Sequence, residues 1–245
     1  MRKTLKELIK EKFNIDDKTI DSLALQGKIF VNNEKYIITS LKFAEDCNIE
    51  IKDKKNQYVS RGAYKLLEAV DKFNIDANNK ICLDIGSSTG GFVQVLLENN
   101  AKKVYALDSG TNQLDFKLRQ DQRVVVYEKT NLKNINKSLF EEKVELITCD
   151  VSFISLKHVF EICNKTFNNI KLITLIKPQF EASKKYVQPG GYVDEIHHEF
   201  IKNKILEIAK NNNFNLVVPI IKSPILGDKS KNIEYLAFFE KKGEE

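Results

Sequence analysis

The sequence predicts an α/β protein: an open, largely parallel sheet covered by helices over residues 60–245, preceded by a small α+β module over residues 1–52. Three observations carry this prediction. From Ser60 onward, short near-continuous apolar runs alternate with segments whose apolar residues recur at helical spacing, the pattern of a sheet buried on both faces. One run, residues 81–85, breaks into the turn Gly86-Ser87-Ser88-Thr89-Gly90-Gly91 and then directly into an apolar helical segment from Phe92. The first fifty-odd residues follow a different pattern of two short helices and a few clipped strands.

In that first module, Leu5, Leu8, Ile9 and Phe13 recur at helical spacing. Ile20, Leu23 and Leu25 mark a second short helix that Gly27 stops. Residues 28–31 read as a strand, Asn32-Asn33 as a turn, and 36–38 as the returning arm of a hairpin. Residues 47–51 alternate as a last strand. The polar run Asp53-Lys54-Lys55-Asn56-Gln57 has no apolar anchor, so residues 53–59 are expected to be a linker.

In the larger part, a helix is expected over 63–73, with Leu66, Leu67, Val70 and Phe73 on one face. Strands are expected at 81–84, 104–107, 124–127, 146–149, 172–176, 216–220 and 233–239. Helices at 92–98, 114–119, 156–167 and 195–211 lie between them. A polar loop joins the last two strands, which predicts a hairpin and an antiparallel edge. This departs from a plain dinucleotide-binding fold in the direction of a Rossmann-like methyltransferase sheet.

Composition narrows the function classes. Charge is abundant but nearly balanced, 39 basic against 34 acidic residues for a net +5, which admits an anionic partner without requiring one. No apolar run approaches a membrane span, and the charged start from Arg2 to Glu11 is not a secretory signal. Cys47, Cys82, Cys149 and Cys163 stand far apart without a C-x-x-C pair. They are expected to be reduced and mostly buried in a cytoplasmic protein, neither a metal site nor a disulfide framework.

Ligands of open parallel sheets gather at the carboxyl ends of the strands, where this chain places Asp84, Asp108, Asp150 and Lys177. Ser-Ser-Thr separates Gly86 from Gly90-Gly91, so the turn is not the G-x-G-x-x-G of a dinucleotide site. A nucleoside without a pyrophosphate, such as S-adenosylmethionine, is the expected occupant. Asp84, Gly86, Ser87, Ser88, Thr89, Gly90, Gly91 and Phe92 form its expected cradle. Asp108 is expected to accept from two ribose hydroxyls, although a lone strand-end acid is more often a turn or cap residue. Asp150 lies beside the cleft and is expected to contact the cofactor as well. With Lys177 it fits a partly buried functional pair and a structural salt bridge equally well. Lys65 begins the helix after Arg61 and lies off its apolar face; taken alone it is an ordinary solvated lysine. Glu234 opens the last strand, where an exposed acid is unremarked.

Together these segments resemble the TlyA (haemolysin A) family of ribosomal RNA 2′-O-methyltransferases, relatives of the FtsJ-type ribose methyltransferases. The matching stretches are Tyr58-Val59-Ser60-Arg61-Gly62, Asp84 to Phe92, Tyr105 to Asp108 continuing through Gly110 to Leu114, Asp150-Val151-Ser152-Phe153-Ile154-Ser155-Leu156, Leu175-Ile176-Lys177-Pro178-Gln179-Phe180-Glu181, and Ser223-Pro224-Ile225. The resemblance implies a Lys-Asp-Lys-Glu tetrad, which falls on Lys65, Asp150, Lys177 and Glu234. It implies S-adenosylmethionine as methyl donor and ribosomal RNA or a ribosomal subunit as partner, with a cytidine 2′-hydroxyl of 16S or 23S RNA as acceptor. It further implies an S4-like RNA-binding fold for the first module.

Lys28, Asn32, Lys35 and Arg61 are the candidate RNA contacts, no metal or membrane is called for, and a monomer is expected. The chain departs from the family pattern in two places. Its second helix carries Asp16, Asp17 and Asp21 where a basic helix is usual, and Asp228 to Asn232 replaces a more glycine-rich loop before Glu234.

A ribose hydroxyl must lose its proton as it attacks, and a lysine can take that proton when its amine is neutral, a state that a nearby cation favours. Lys177 is therefore expected to be the base or the group that orients the hydroxyl. Lys65 is expected to favour its neutral form and stabilise the developing alkoxide, with Asp150 and Glu234 holding the two amines. The competing readings are a catalytically silent RNA-binding protein and a haemolysin. The second lacks a spanning segment.

Overall fold

A computed structural model describes residues 2–25, 27–51 and 58–243, and the chain divides into two units at Gln57. In the first unit, β1 (Arg2–Thr4) leads into α1 (Leu5–Phe13). Thr4 accepts from the Glu7 amide while the Glu7 carboxylate accepts from the Thr4 amide, so the two satisfy each other's free helix-end groups. α2 (Asp17–Leu25) follows. β2 (Ile29–Val31) then pairs antiparallel with β3 (Glu34–Tyr36), and β4 (Lys42–Ala44) returns to β1. β5 (Ile49–Ile51) lies on the other side of β2. Leu5, Ile9, Ile20 and Ile29 fill the core.

Two expectations are corrected in this unit, and one strand pair is new. The hairpin arm lies at 34–36, not 36–38, because Asn32 and Asn33 both take left-handed φ and close the turn within two residues. Ile37, Ile38 and Leu25 are exposed rather than part of the core. The β1–β4 pair had no signal, since three-residue strands are too short to show alternation. Residues 53–57 of the expected linker lie outside the described residues. Tyr58 and Val59, also expected there, join the second unit: Tyr58 is buried against Tyr64, and the Val59 amide donates to Gln94 Oε1.

The second unit runs α3 (Gly62–Lys72), β6 (Ile81–Ile85), α4 (Gly91–Glu98), β7 (Lys103–Leu107), α5 (Phe116–Arg119) and β8 (Val124–Tyr127). It continues with β9 (Leu146–Cys149), α6 (Leu156–Thr166), β10 (Ile170–Ile176), α7 (Pro178–Glu181), α8 (His198–Asn211), β11 (Asn215–Leu216), β12 (Ile221–Lys222) and β13 (Tyr235–Lys241). The strand order is β11-β13-β10-β9-β6-β7-β8, and β12 also pairs with β13. From β10 to β8 all neighbours are parallel, as the alternating pattern predicts. β13 runs antiparallel, as expected, but it is inserted between β10 and β11 and is not an edge.

The strand expected at 216–220 is two short pieces on either side of an irregular stretch. The helix expected from 114 starts at 116, because the Asp115 carboxylate accepts from the Lys117 amide and so caps it there. α7 was not anticipated; Pro178 at its first position supplies the preset φ.

Strand side chains alternate between two cores. Leu83, Ile147, Leu172 and Tyr235 pack with α6 and α8. Cys82, Leu146, Ile173, Leu175, Leu236 and Phe238 pack with α3 and α4. That alternation decides where the charged strand ends point.

Candidate active site

The alternation, within β6 for Asp84 and continued one residue beyond the strand for the others, places Asp84, Asp108, Asp150, Lys177 and Glu234 in phase with the residues that face α3 and α4. α3 carries Lys65 on that side. Lys65 Nζ donates to Glu234 Oε2 at 2.7 Å and lies 4.0 Å from Asp150 Oδ2. Lys177 Nζ lies 2.5 Å from Asp150 Oδ1. Four residues spread over 170 positions of the chain thus form one continuous run of alternating charge. Lys177 and Glu234 are 8% and 3% exposed.

Lys177 and Asp150 thus form a short ion pair. Lys177 also donates to Ser152, whose Oγ accepts at 3.1 Å.

The glycine turn lies against this run. Gly86 has φ +84°, and a Cβ there would stand 2.8 Å from the Asp150 carbonyl oxygen; at Gly91 it would meet Ser60 Oγ and the Ala63 amide. Two cavities, of about 330 and 680 Å³, open on either side and share Gly86, Ser88, Asp150 and Ser152. The first reaches Lys65, Asp84, Lys177 and Phe92. The second reaches Asp108, Gln113 and Asn131. Ser87, Ser88 and Thr89 line the first cavity, whereas Gly90 backs against Leu114 and Leu118.

Asp84 is 1% exposed. Its Oδ1 accepts from Thr148 Oγ1 at 2.7 Å, its Oδ2 has no partner, and burial pushes its carboxyl up to about 7. An unsatisfied buried acceptor lining a cavity fits a ligand that brings a cation or a donor. Asp108 accepts from the Ser88 and Gly110 amides, at 2.8 and 2.7 Å, which fixes its carboxylate while leaving lone pairs for further donors.

Among the described residues no group of His, Cys, Asp and Glu could hold a metal ion, and no helix is long and apolar enough to cross a membrane. All four cysteines are buried, and burial pushes the Cys82 and Cys149 thiols up to about 12.

The candidate RNA contacts fall in both units. Arg61 lines the first cavity and pairs with Asp228 at 2.8 Å, both well exposed. In the first unit Lys28 is half-buried and Lys35 is exposed on β3. Asn32 Oδ1 accepts from the Asn48 amide and so serves the turn. Asp21 and Asp17, the acids of α2, pair with Lys6 and Lys10 of α1.

Four residues next to the site were not singled out from the sequence. Ser152 contacts Lys177. Phe153 is 89% exposed at φ +64° and packs on Phe180 at 5.1 Å. Glu181 is buried and accepts from Ser155 Oγ and the Leu156 amide, both at 2.7 Å, tying the segment after β10 to the segment after β9. Asn232 is fully buried and binds Val193, Gly191, Gln179 and Ser230, holding the loop before Glu234 without the extra glycines. Ser152, Phe153 and Glu181 stand in the stretches that carry the family resemblance and Asn232 in the loop that departs from it, but no local pattern marks any of them individually.

The profile of the FtsJ-like methyltransferase family matches residues 58–241. A curated relative named Hemolysin A, from Brachyspira hyodysenteriae, is 47% identical over 220 residues, covering 89% of this chain and 90% of its own length. The 23S rRNA (cytidine-2′-O)-methyltransferase TlyA of Campylobacter jejuni is 38% identical over 234 residues, covering 90% of each. A solved structure of a protein described as a candidate hemolysin from Streptococcus thermophilus superposes with a TM-score of 0.75 at 34% identity, covering 98% of this chain and 89% of that one.

Proposed function

The chain belongs to the FtsJ-like methyltransferase family, and from that premise we propose that it transfers a methyl group from S-adenosylmethionine to the 2′-hydroxyl of a cytidine in ribosomal RNA. One observation carries the assignment of the chemistry to residues: Lys177, Asp150, Lys65 and Glu234 stand in continuous contact, and the first three line the cavity at the glycine turn.

The residues present fit the donor. Gly86 and Gly91 leave bare backbone where a side chain would collide, the free oxygen of Asp84 suits an ammonium group, and Asp108 lines the cavity where a ribose would lie. Bound there, S-adenosylmethionine supplies an electrophilic methyl group. Lys177 takes the proton of the attacking 2′-hydroxyl on its amine. Lys65 stabilises negative charge growing on the oxygen, while Asp150 and Glu234 fix the two amines. Holding oxygen and methyl group in line supplies much of the rate.

Phe153, exposed and in a strained backbone conformation at the cleft mouth, offers a face on which an unstacked base can lie. Arg61 can exchange Asp228 for a phosphate at little cost, because exposed ion pairs contribute little. Lys28, Asn32 and Lys35 would add RNA contacts from an S4-like first module. On the same reading the protein is a cytoplasmic monomer.

The test is methyl incorporation into purified ribosomal subunits, with ribose methylation mapped in RNA from cells with and without the protein. A new 2′-O-methylcytidine supports the proposal. RNA binding without incorporation supports a silent RNA-binding protein instead.

A further inference from the structure

We propose that Ser152 is a positioning residue that aims the amine of Lys177 at the substrate hydroxyl. This rests on the reading of Lys177 as the proton acceptor. A neutral amine carries two N–H bonds and one lone pair, and it works as a base only if the lone pair faces the incoming proton. Asp150 Oδ1, 2.5 Å away, draws one N–H of the amine, but a single contact leaves the amine free to turn about that line. Ser152 supplies the direction, because Lys177 Nζ donates to its Oγ at 3.1 Å. With one N–H fixed there and the other drawn toward Asp150, the lone pair is left for the cleft.

Two further features hold Ser152 in place. It follows Asp150 by two residues, and the Asp150 amide donates to the Ile85 carbonyl at 3.1 Å, continuing the parallel ladder. Phe153, next in the chain, has φ +64°, costly for a bulky residue, so the backbone turns sharply just past the serine. The Phe153 ring is thereby thrown outward while Ser152 borders both cavities. Ser152 is itself exposed, so its hydroxyl is not needed to fill the core.

The experiment compares wild type, Ser152→Ala, Ser152→Thr and Lys177→Ala in single-turnover methyl transfer to ribosomal subunits. RNA affinity, calorimetric S-adenosylmethionine affinity and melting temperature are measured for each. Ser152→Ala is expected to slow the methyl-transfer step about tenfold, the loss of one hydrogen bond to a polar or charged group. Its affinities and melting temperature are expected to match wild type, and Ser152→Thr to restore the rate. A Ser152→Ala enzyme with the wild-type rate, or one whose loss lies wholly in RNA affinity, overturns the inference, provided Lys177→Ala is inactive. Turnover surviving in Lys177→Ala overturns the underlying tetrad reading instead, and the inference falls with it.

Discussion

Asp150 and Lys177 close the adjacent parallel strands β9 and β10, and their charged atoms stand 2.5 Å apart on the side of the sheet that carries α3. Each sits one residue past its strand, so the pleat fixes its direction while its tip clears the sheet. The pair is mostly buried on the lysine side, where an unpaired ammonium would be costly. Lys65, from α3, joins the pair to Glu234 at the start of β13.

Lys177→Ala removes the proposed proton acceptor without touching the glycine turn. Methyl transfer is expected to fall by at least about a hundredfold, the usual scale for a general base. Calorimetric affinity for S-adenosylmethionine is expected to change little. A variant that keeps near-wild-type turnover assigns the proton transfer elsewhere.

Glu234→Ala strands Lys65, whose side chain is 12% exposed and whose 2.7 Å partner is removed. Breaking a buried pair from one side costs about 3 kcal/mol, so a drop of several degrees in melting temperature is expected together with loss of turnover. Glu234→Gln keeps an acceptor for Lys65 and is expected to recover most of the stability. Equal melting temperatures for the alanine variant and wild type would contradict the burial argument.

Asp84 makes stability and ligand affinity depend on pH. Burial raises its carboxyl from an ordinary 3.8 to about 7, so between those values the folded chain holds a proton that the unfolded chain has lost. Its contribution to stability is full below about 4 and disappears as pH rises through about 7. Asp84→Asn, which keeps an oxygen for Thr148, is expected to flatten that part of a melting-temperature profile of the ligand-free protein. A cationic group bound at the free oxygen favours the carboxylate, so S-adenosylmethionine affinity is expected to rise from pH 6 to 8 with proton release. Calorimetry in buffers of different ionisation enthalpy measures that release.

Gly86→Ala places a methyl group 2.8 Å from the Asp150 carbonyl at φ +84°. The backbone conformation alone costs about 1–2 kcal/mol for a residue with a Cβ, and relief of the clash must move the segment that carries Asp150. Weaker donor binding and slower transfer are expected together. An unchanged crystal structure with normal turnover would show that the turn has more room than these distances allow.

Glu181→Ala leaves the Leu156 amide at the start of α6 without its 2.7 Å acceptor and frees Ser155. A loss of about 2 kcal/mol is expected from an unsatisfied buried donor, read by denaturant unfolding. Glu181→Gln, which can still accept from the amide, is expected to lose less.

Much of this was legible in the chain because the signals are local. Asp84, Gly86 and Gly91 stand in one short segment whose strand, turn and helix are written in adjacent residues. The parallel order of β6 to β10 follows from apolar runs alternating with amphipathic helices. The break in 216–220 was not legible, nor was α7, because four-residue elements have no period to read. Leu25 shows the limit of helical spacing: it has the right residue type near the end of α2 and faces solvent.

The sequence by itself determined the α/β class, the ligand-bearing turn and the identity of the charged strand ends, since these depend on residue type and short-range periodicity. The tertiary structure alone decided that β13 enters the sheet beside β10, that Glu181 ties the segment after β10 to the start of α6, and that Lys177 donates to Ser152. Each of these depends on contacts between segments far apart in the chain, which form only when strands pair and helices pack, and no local pattern encodes them.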